Sequence, residues 1–272
     1  MIFQGEELSA NLNAIAAILR AVLWPAVVLV LFICYRVKIG ALLEVLTRKV
    51  KDARHLKAGQ IEIDTTEAID KVVEQAGRAA GAQDIKRELP NSQIETARLV
   101  ERNLSAAPIA FSEKLDVVEQ RVKGLVEEYE RMRREMPGGQ QRTRSMNEIT
   151  AKIRAYAFVA QPLLPFLADG ERPGDRLAAI CILQVKPEPS FFHWLIERIM
   201  REDQAFLLFH SSIAILQLVK AYPFIGVEDA KEAVQSALNH VLGFRGGKPD
   251  QNTIEVLNQV LRQLSTRTEE FA

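Results

Sequence analysis

The feature that most constrains this chain is an uncharged apolar run, Ala21–Tyr35, which is bounded by Arg20 and Arg36. At 1.5 Å per residue, a helix of this length covers roughly 22 Å, less than the ~30 Å hydrocarbon core of a bilayer. The stems of the two arginines can lie along the lipid while their charged ends reach the interface. The run therefore predicts a single membrane-spanning helix, and the alternative is a buried helix of a soluble core.

Aromatic and basic side chains flank this run in the way that membrane interfaces favour. Aromatic rings prefer the headgroup level, and basic residues are concentrated on the C-terminal side of the run. The positive-inside rule therefore predicts an N-terminus outside and a C-terminal part in the cytoplasm. The predicted membrane-interface residues are Arg20, Trp24, Tyr35, Arg36, Lys38, Arg48, Lys49 and Lys51.

Residues 39–64 follow the span as a basic juxtamembrane segment. Within 39–57, apolar residues recur at helical spacing with basic residues on the other face. Such a helix either lies on anionic headgroups or continues the membrane helix inward. Ile61–Asp64 then alternates briefly, as a strand paired with another subunit or an extended connector would. This arrangement resembles bacterial single-pass inner-membrane proteins, which implies a location at the inner membrane.

Composition and motif content exclude several classes of function. Lys plus Arg and Asp plus Glu number 35 each, so no overall basic field favours nucleic-acid binding. The two cysteines are Cys34 in the predicted span and Cys181 in a helical pattern, so we expect no disulfide. The four histidines lack metal-ligand spacing, and no nucleophile or phosphate-loop motif occurs. The sequence therefore predicts no enzyme, with no catalytic residue, metal site or cofactor.

Residues 65–136 predict a series of helices that ends in a heptad seam. Gly77 and Gly81 lie on the first of these helices, where they allow another helix to approach closely. A seam of about three heptads predicts helix association, either between subunits or within one subunit. The seam, predicted as the oligomerisation surface, consists of Phe111, Leu115, Val118, Val122, Leu125, Tyr129 and Met132.

Residues 137–144 contain two glycines beside a proline and no apolar residue, a composition that predicts a flexible linker. Residues 145–272 predict an α-helical domain of short amphipathic helices with Pro or Gly joints. Within it an apolar pattern recurs 33 residues apart: Ile180, Ile182 and Leu183 reappear as Ile213, Ile215 and Leu216.

Residues 172–222 resemble HEAT-type helical repeats, in which small residues beside Ile and Leu let helix pairs stack. The resemblance implies a protein- or peptide-binding surface and carries no catalytic residues. A compact helical bundle is the alternative for the same residues.

The sequence therefore predicts an all-α chain with one N-terminal transmembrane helix, central coiled-coil-like helices and a C-terminal HEAT-like bundle. The expected regions are 1–38 with a membrane core at 21–35, 39–64, 65–136, 137–144 and 145–272. We expect a membrane-anchored scaffold or adaptor that forms homo-oligomers and binds a cytoplasmic protein. The alternative is an oligomeric effector that forms a pore or disrupts the membrane under control of the C-terminal domain. Because the span contains no polar pathway, a pore lined by that helix is disfavoured.

Overall fold

The computed structural model describes residues 67–81, 88–107, 110–222, 227–243 and 251–271, and the regular elements within these ranges are helices. The all-α prediction is therefore confirmed for this part of the chain. The chain divides into two units, Met1–Gln60 and Ile61–Ala272, and the described residues belong to the second unit. The predicted span, its interface residues and the segment 39–64 lie outside the described residues. Among the helices described, none combines the length and apolar character needed to cross a bilayer.

The helices follow one another with short connections. The first, α1, is helical over 67–81. The others are α2 (Asn91–Ala106), α3 (Phe111–Glu135), α4 (Gln140–Ala155), α5 (Ala157–Ala160), α6 (Leu164–Ala168), α7 (Pro173–Val185), α8 (Phe192–Arg201), α9 (Ala205–Ala221), α10 (Val227–Leu242) and α11 (Gln251–Phe271). Single 3₁₀ turns lie at Gln161–Leu163 and Pro189–Phe191.

The core is built around a row of four helices, in which α4 packs on α7, α7 on α9 and α9 on α11. The other helices cover this row: α3 contacts α4, α5 and α7, α6 contacts α7, and α8 contacts α9 and α10. Helices α7 and α9 are apolar around most of their circumference, and such helices are stable only when neighbours surround them. Toward the C-terminus, helices that are consecutive in the chain also pack in pairs, α8 with α9 and α10 with α11.

Helix α3 packs on α4 and α7, which follow the linker that the sequence predicts at residues 137–144. Gln140 already begins α4, and only the preceding residues form the connection. Gly139 makes the turn with a φ of 150°, a backbone conformation that favours glycine. The predicted linker therefore covers both the turn and the first residues of α4, and α3 and α4 pack together on either side of the turn.

The heptad seam is divided between the core and the surface. Val118, Val122 and Tyr129 are fully buried, and the helices that cover them belong to the same chain. Phe111, at the start of α3, is 66% exposed. The remaining seam residues are half-buried: Leu115, Leu125 and Met132. Most of the seam therefore packs within one subunit, which is one of the two interpretations of its spacing, and oligomerisation through it stays a prediction.

The two glycines of α1 face α4 at close range, as their sequence positions predict. A Cβ atom at Gly77 would lie 2.7 Å from Cε of Lys152, and one at Gly81 would meet the Glu148 carboxylate. Lys152 Nζ also pairs with a carboxylate oxygen of Glu74 at 2.7 Å. The absence of side chains at the two glycines therefore lets α1 lie directly on α4.

Candidate functional site

A groove of about 260 Å³ opens between α3 and the α6–α7 region, and we call it the α3–α6 groove. Its floor is apolar, since Val122 and Leu167 are buried there and Leu163 is half-buried. Phe166 stands at its edge with 75% of its surface exposed. The groove therefore offers an apolar surface to a molecule that approaches from solvent.

The exposure of Phe166 follows from the geometry of α6. This helix has only five residues, and all of them are apolar, including a proline. Leu164, Leu167 and Ala168 are spaced three or four residues apart, so they share one face, which is buried. The residue between them, Phe166, must point away from that face. A helix that is apolar all round but buried on one side thus leaves one aromatic ring at the surface.

Charged residues form the rim of the α3–α6 groove, and only two of them satisfy each other. Arg172 donates from Nε and Nη2 to the two carboxylate oxygens of Asp175, both at 2.8 Å. These hydrogen bonds raise the pKa of Arg172 and keep the guanidinium charged. Among the described residues, no hydrogen bond or ion pair engages the side chains of Glu119, Lys123 or Asp169. The rim therefore carries two carboxylates and one ammonium group that have no side-chain partner within the described part of the chain.

A contact between α3 and the first turn of α7 fixes the two sides of the groove. The backbone N–H of Gly174 donates to Oε1 of Glu130 at 2.6 Å, so a side chain of α3 satisfies one of the free amides at the start of α7. A Cβ atom at Gly174 would lie 3.0 Å from both Oε1 of Glu130 and Cγ1 of Val126. The close approach of the two helices therefore depends on glycine at this position.

A second set of polar residues lies inside the helical unit, and we call it the Arg154 cluster: Gln93 of α2, Thr150 and Arg154 of α4, Gln184 of α7 and His210 of α9. The Arg154 side chain is 0% exposed. Its Nε donates to Oε1 of Gln184 at 2.6 Å, and its Nη1 donates to Oε1 of Gln93 at 2.9 Å and to the Thr150 hydroxyl at 3.3 Å. Its Nη2 lies 3.1 Å from Nδ1 of His210. The guanidinium is thus satisfied by neutral acceptors from four helices.

The hydrogen bond from Arg154 determines the state of His210. A guanidinium only donates, so Nδ1 of His210 must accept and the ring proton sits on Nε2. Burial, together with the charge of Arg154, lowers the pKa of His210 well below its ordinary value. The amide of Gln184 also donates to the backbone carbonyl of His210 at 2.6 Å. His210 is therefore a neutral acceptor that joins α9 to α4 and α7.

The residues near the Arg154 cluster do not form a nucleophilic site. Cys181 is fully buried, and burial raises its pKa to about 11, so it stays a neutral thiol. His210 is equally inaccessible to solvent. Within the described residues, no group of His, Cys, Asp and Glu side chains could hold a metal ion. The chemistry of this cluster is that of a buried hydrogen-bond network which connects helices.

No protein-family model, curated protein or solved structure matches this chain. The groove contains one residue of the predicted seam, Val122, as part of its floor. The seam spacing points to α3 as a contact helix, but it gives no signal for α6, which supplies Phe166 from a different part of the chain.

Proposed function

We propose that this chain is a membrane-anchored scaffold or adaptor, and that its helical unit binds a protein partner at the α3–α6 groove. The observation that carries the proposal is Phe166, an aromatic ring held at the edge of an apolar groove by a short helix packed on α7. An apolar groove with a charged rim and an exposed aromatic ring at its edge is a surface on which a partner can bury apolar side chains. Aromatic residues are also enriched among those that dominate binding energy at such interfaces.

The size of the groove favours a protein over a small molecule. Ligand sites usually enclose roughly 300–1,000 Å³ and bury most of the bound molecule. The α3–α6 groove has about 260 Å³, so it holds one or two side chains of a larger partner. Within residues 172–222, the packing of both α7 and α8 on α9 supports the resemblance to HEAT-type repeats, whose stacked helices form binding surfaces.

The membrane anchor and the self-association of the chain belong to the same proposal, and both rest on the sequence. If α3 takes part in self-association, the contact must use the part of the seam that the chain itself leaves uncovered. That part begins at Phe111, on the first turn of α3. Val122 is already covered within the chain and lies in the floor of the groove.

Site-specific photo-cross-linking in the full-length chain tests the partner-binding role. The full chain is needed because residues 145–272 alone would lack α2 and α3, which supply Gln93 to the Arg154 cluster and one side of the groove. A photoreactive amino acid placed at Phe166 should cross-link in cells to a discrete protein that also binds the purified chain. The matched control is Leu242, another exposed apolar residue, which lies on α10. Equal cross-linking from both positions, or none from Phe166, would remove the groove as the binding site.

A further inference from the structure

We infer that the α3–α6 groove recognises a segment of a protein partner in which one bulky apolar residue is followed or preceded closely by a basic residue. This inference rests on the proposed function and specifies the class of partner. It depends on two separate properties of the groove, namely the shape of its apolar floor and the charges that remain uncommitted at its rim.

We expect the apolar residue of the partner to pack on the floor of the groove. Val122 and Leu167 are buried beneath it, Leu163 is half-buried, and Phe166 flanks it with an exposed ring. A volume of about 260 Å³ admits one large side chain and part of a neighbouring one. Removing that side chain from water, together with the ring of Phe166, provides the main gain in affinity.

We expect the basic residue of the partner to be attracted by the acidic side chains at the rim of the groove. Glu119 belongs to α3 and Asp169 to the α6–α7 connection, so an uncommitted carboxylate lines the groove on each of these elements. The charge of Arg172 does not neutralise these two carboxylates, because both of its hydrogen bonds go to Asp175. Lys123 is the remaining cation, and its long flexible stem lets the ammonium group move away from a bound segment.

Asp169 is the charged residue of the rim whose position is most closely fixed. Its short side chain follows directly after α6, whose backbone is fixed by the packing of Leu164 and Leu167 on the core. A basic group next to the anchoring apolar residue gains attraction from Asp169, whereas an acidic group is repelled. Charged pairs at an exposed rim contribute more to the choice of partner than to affinity. The apolar floor therefore determines whether a segment binds, and the rim determines which segment is preferred.

An array of immobilised synthetic peptides tests this inference with the purified full-length chain. Each peptide carries one central Phe or Leu, flanked by Lys, by Glu or by Ser. We expect the strongest binding to Lys-flanked peptides, with a preference over Glu-flanked peptides of roughly three- to fivefold or more. Phe166→Ala should weaken binding to all of the peptides by roughly tenfold. Asp169→Lys should reverse the preference in favour of Glu-flanked peptides.

The control for charge is Glu232→Lys, which makes the same kind of reversal at an exposed position of α10 and should leave the preference unchanged. Circular dichroism of each variant checks that the helices remain folded. If peptides bind regardless of their flanking charge and Phe166→Ala weakens them all, the inferred partner class is wrong while the proposed function stands. If Phe166→Ala has no effect on the peptides that bind, or if no peptide binds, the groove does not recognise such a segment and the inference fails, while cross-linking from Phe166 decides the proposed function separately.

Discussion

Helices α3 and α9 belong to the same helical unit, but they differ in how much of their circumference is buried. In α3, a stripe that includes Val118, Val122 and Tyr129 is buried, and charged residues occupy most of the other positions. In α9, residues 207–216 are buried without interruption, and the polar residues among them include His210. A helix at the edge of the unit can keep charges free for a partner. The polar groups of a central helix are cut off from water and can pair only inside the chain, as His210 Nδ1 does, whereas His210 Nε2 and Ser211 Oγ have no hydrogen-bond partner among the described residues.

The same contrast separates the two sites. At the α3–α6 groove, the carboxylates of Glu119 and Asp169 have solvent around them and no committed partner in the part of the chain described. In the Arg154 cluster, a guanidinium without a carboxylate partner is held by acceptors that come from four helices. We therefore expect substitutions in the interior to change stability strongly, and substitutions at the groove to change binding.

The largest expected effect is that of Arg154→Met, which removes the guanidinium but keeps much of the side-chain volume. The side-chain oxygens of Gln93 and Gln184 would then be left buried without their donor, and Nδ1 of His210 would keep only the amide of Gln184, 3.3 Å away. We expect the free energy of unfolding to fall by about 2–4 kcal/mol, as for other buried polar networks that lose one member. Guanidinium denaturation of the full-length chain, followed by circular dichroism, measures this loss.

The control for this substitution is Arg98→Met on the surface of α2. Arg98 pairs with Glu95 at 2.9 Å one turn away, and both side chains are more than half exposed. We expect a change within about 0.5 kcal/mol. Equal effects at positions 98 and 154 would show that the interior cluster contributes no more than a surface ion pair, and would remove the contrast between the two regions.

The next effect in size concerns the contact between an edge helix and a central one. Gly174→Ala places a methyl group 3.0 Å from Cγ1 of Val126 and 3.1 Å from its backbone carbonyl oxygen. Because a backbone atom cannot move aside as a side-chain terminus can, α7 must shift away from α3. We expect a loss of about 1–3 kcal/mol, which is typical of overpacking. Thermal unfolding of the variant and the parent chain measures it, and an unchanged transition would show that the two helices are not in fixed contact.

The pH dependence of stability tests whether the interior site is neutral. The pKa of His210 is lowered in the folded chain, so below about pH 6.5 the unfolded chain binds a proton that the folded chain does not. The stability that the neutral His210 gives to the folded chain is therefore fully present above about pH 6.5. As the pH falls below that value, the free energy of unfolding decreases by up to ~1.4 kcal/mol per pH unit. In His210→Gln this part of the slope should disappear. An equal slope in both proteins would show that folding does not lower the pKa of His210.

The sequence predicts the edge of the molecule better than its interior. The period of apolar residues identifies α3 as a helix with one face on the core and the other in water. The predicted seam contains three of the four residues buried on α3, but it omits the fourth, Val126, and includes the exposed Phe111. The same period does not distinguish a partner subunit from α4 and α7 of the same chain. The glycines at 138 and 139 mark a turn, but a turn alone does not say whether the helices on its two sides pack together.

The Arg154 cluster is the part that sequence reasoning misses. Its partners lie 30, 56 and 61 residues away from Arg154, in helices whose proximity only the fold determines. The available signal is a single arginine between the apolar residues Ile153 and Ala155, which a pattern treats as a solvent-facing position. Phe166 is missed for the opposite reason, because an apolar residue in an apolar stretch is expected to be buried.

The smallest effect has the opposite sign and lies on the open face of α3. Gly124 is exposed, and a Cβ atom there would meet no heavy atom within 4 Å. Gly124→Ala therefore adds helix propensity without a clash and should raise the free energy of unfolding by about 0.5–1 kcal/mol. The same denaturation experiment as for Gly174→Ala compares two identical substitutions at glycines in neighbouring helices. If Gly124→Ala is instead destabilising, another surface covers this face of α3, and the search for the subunit contact should move from Phe111 to the middle of the helix.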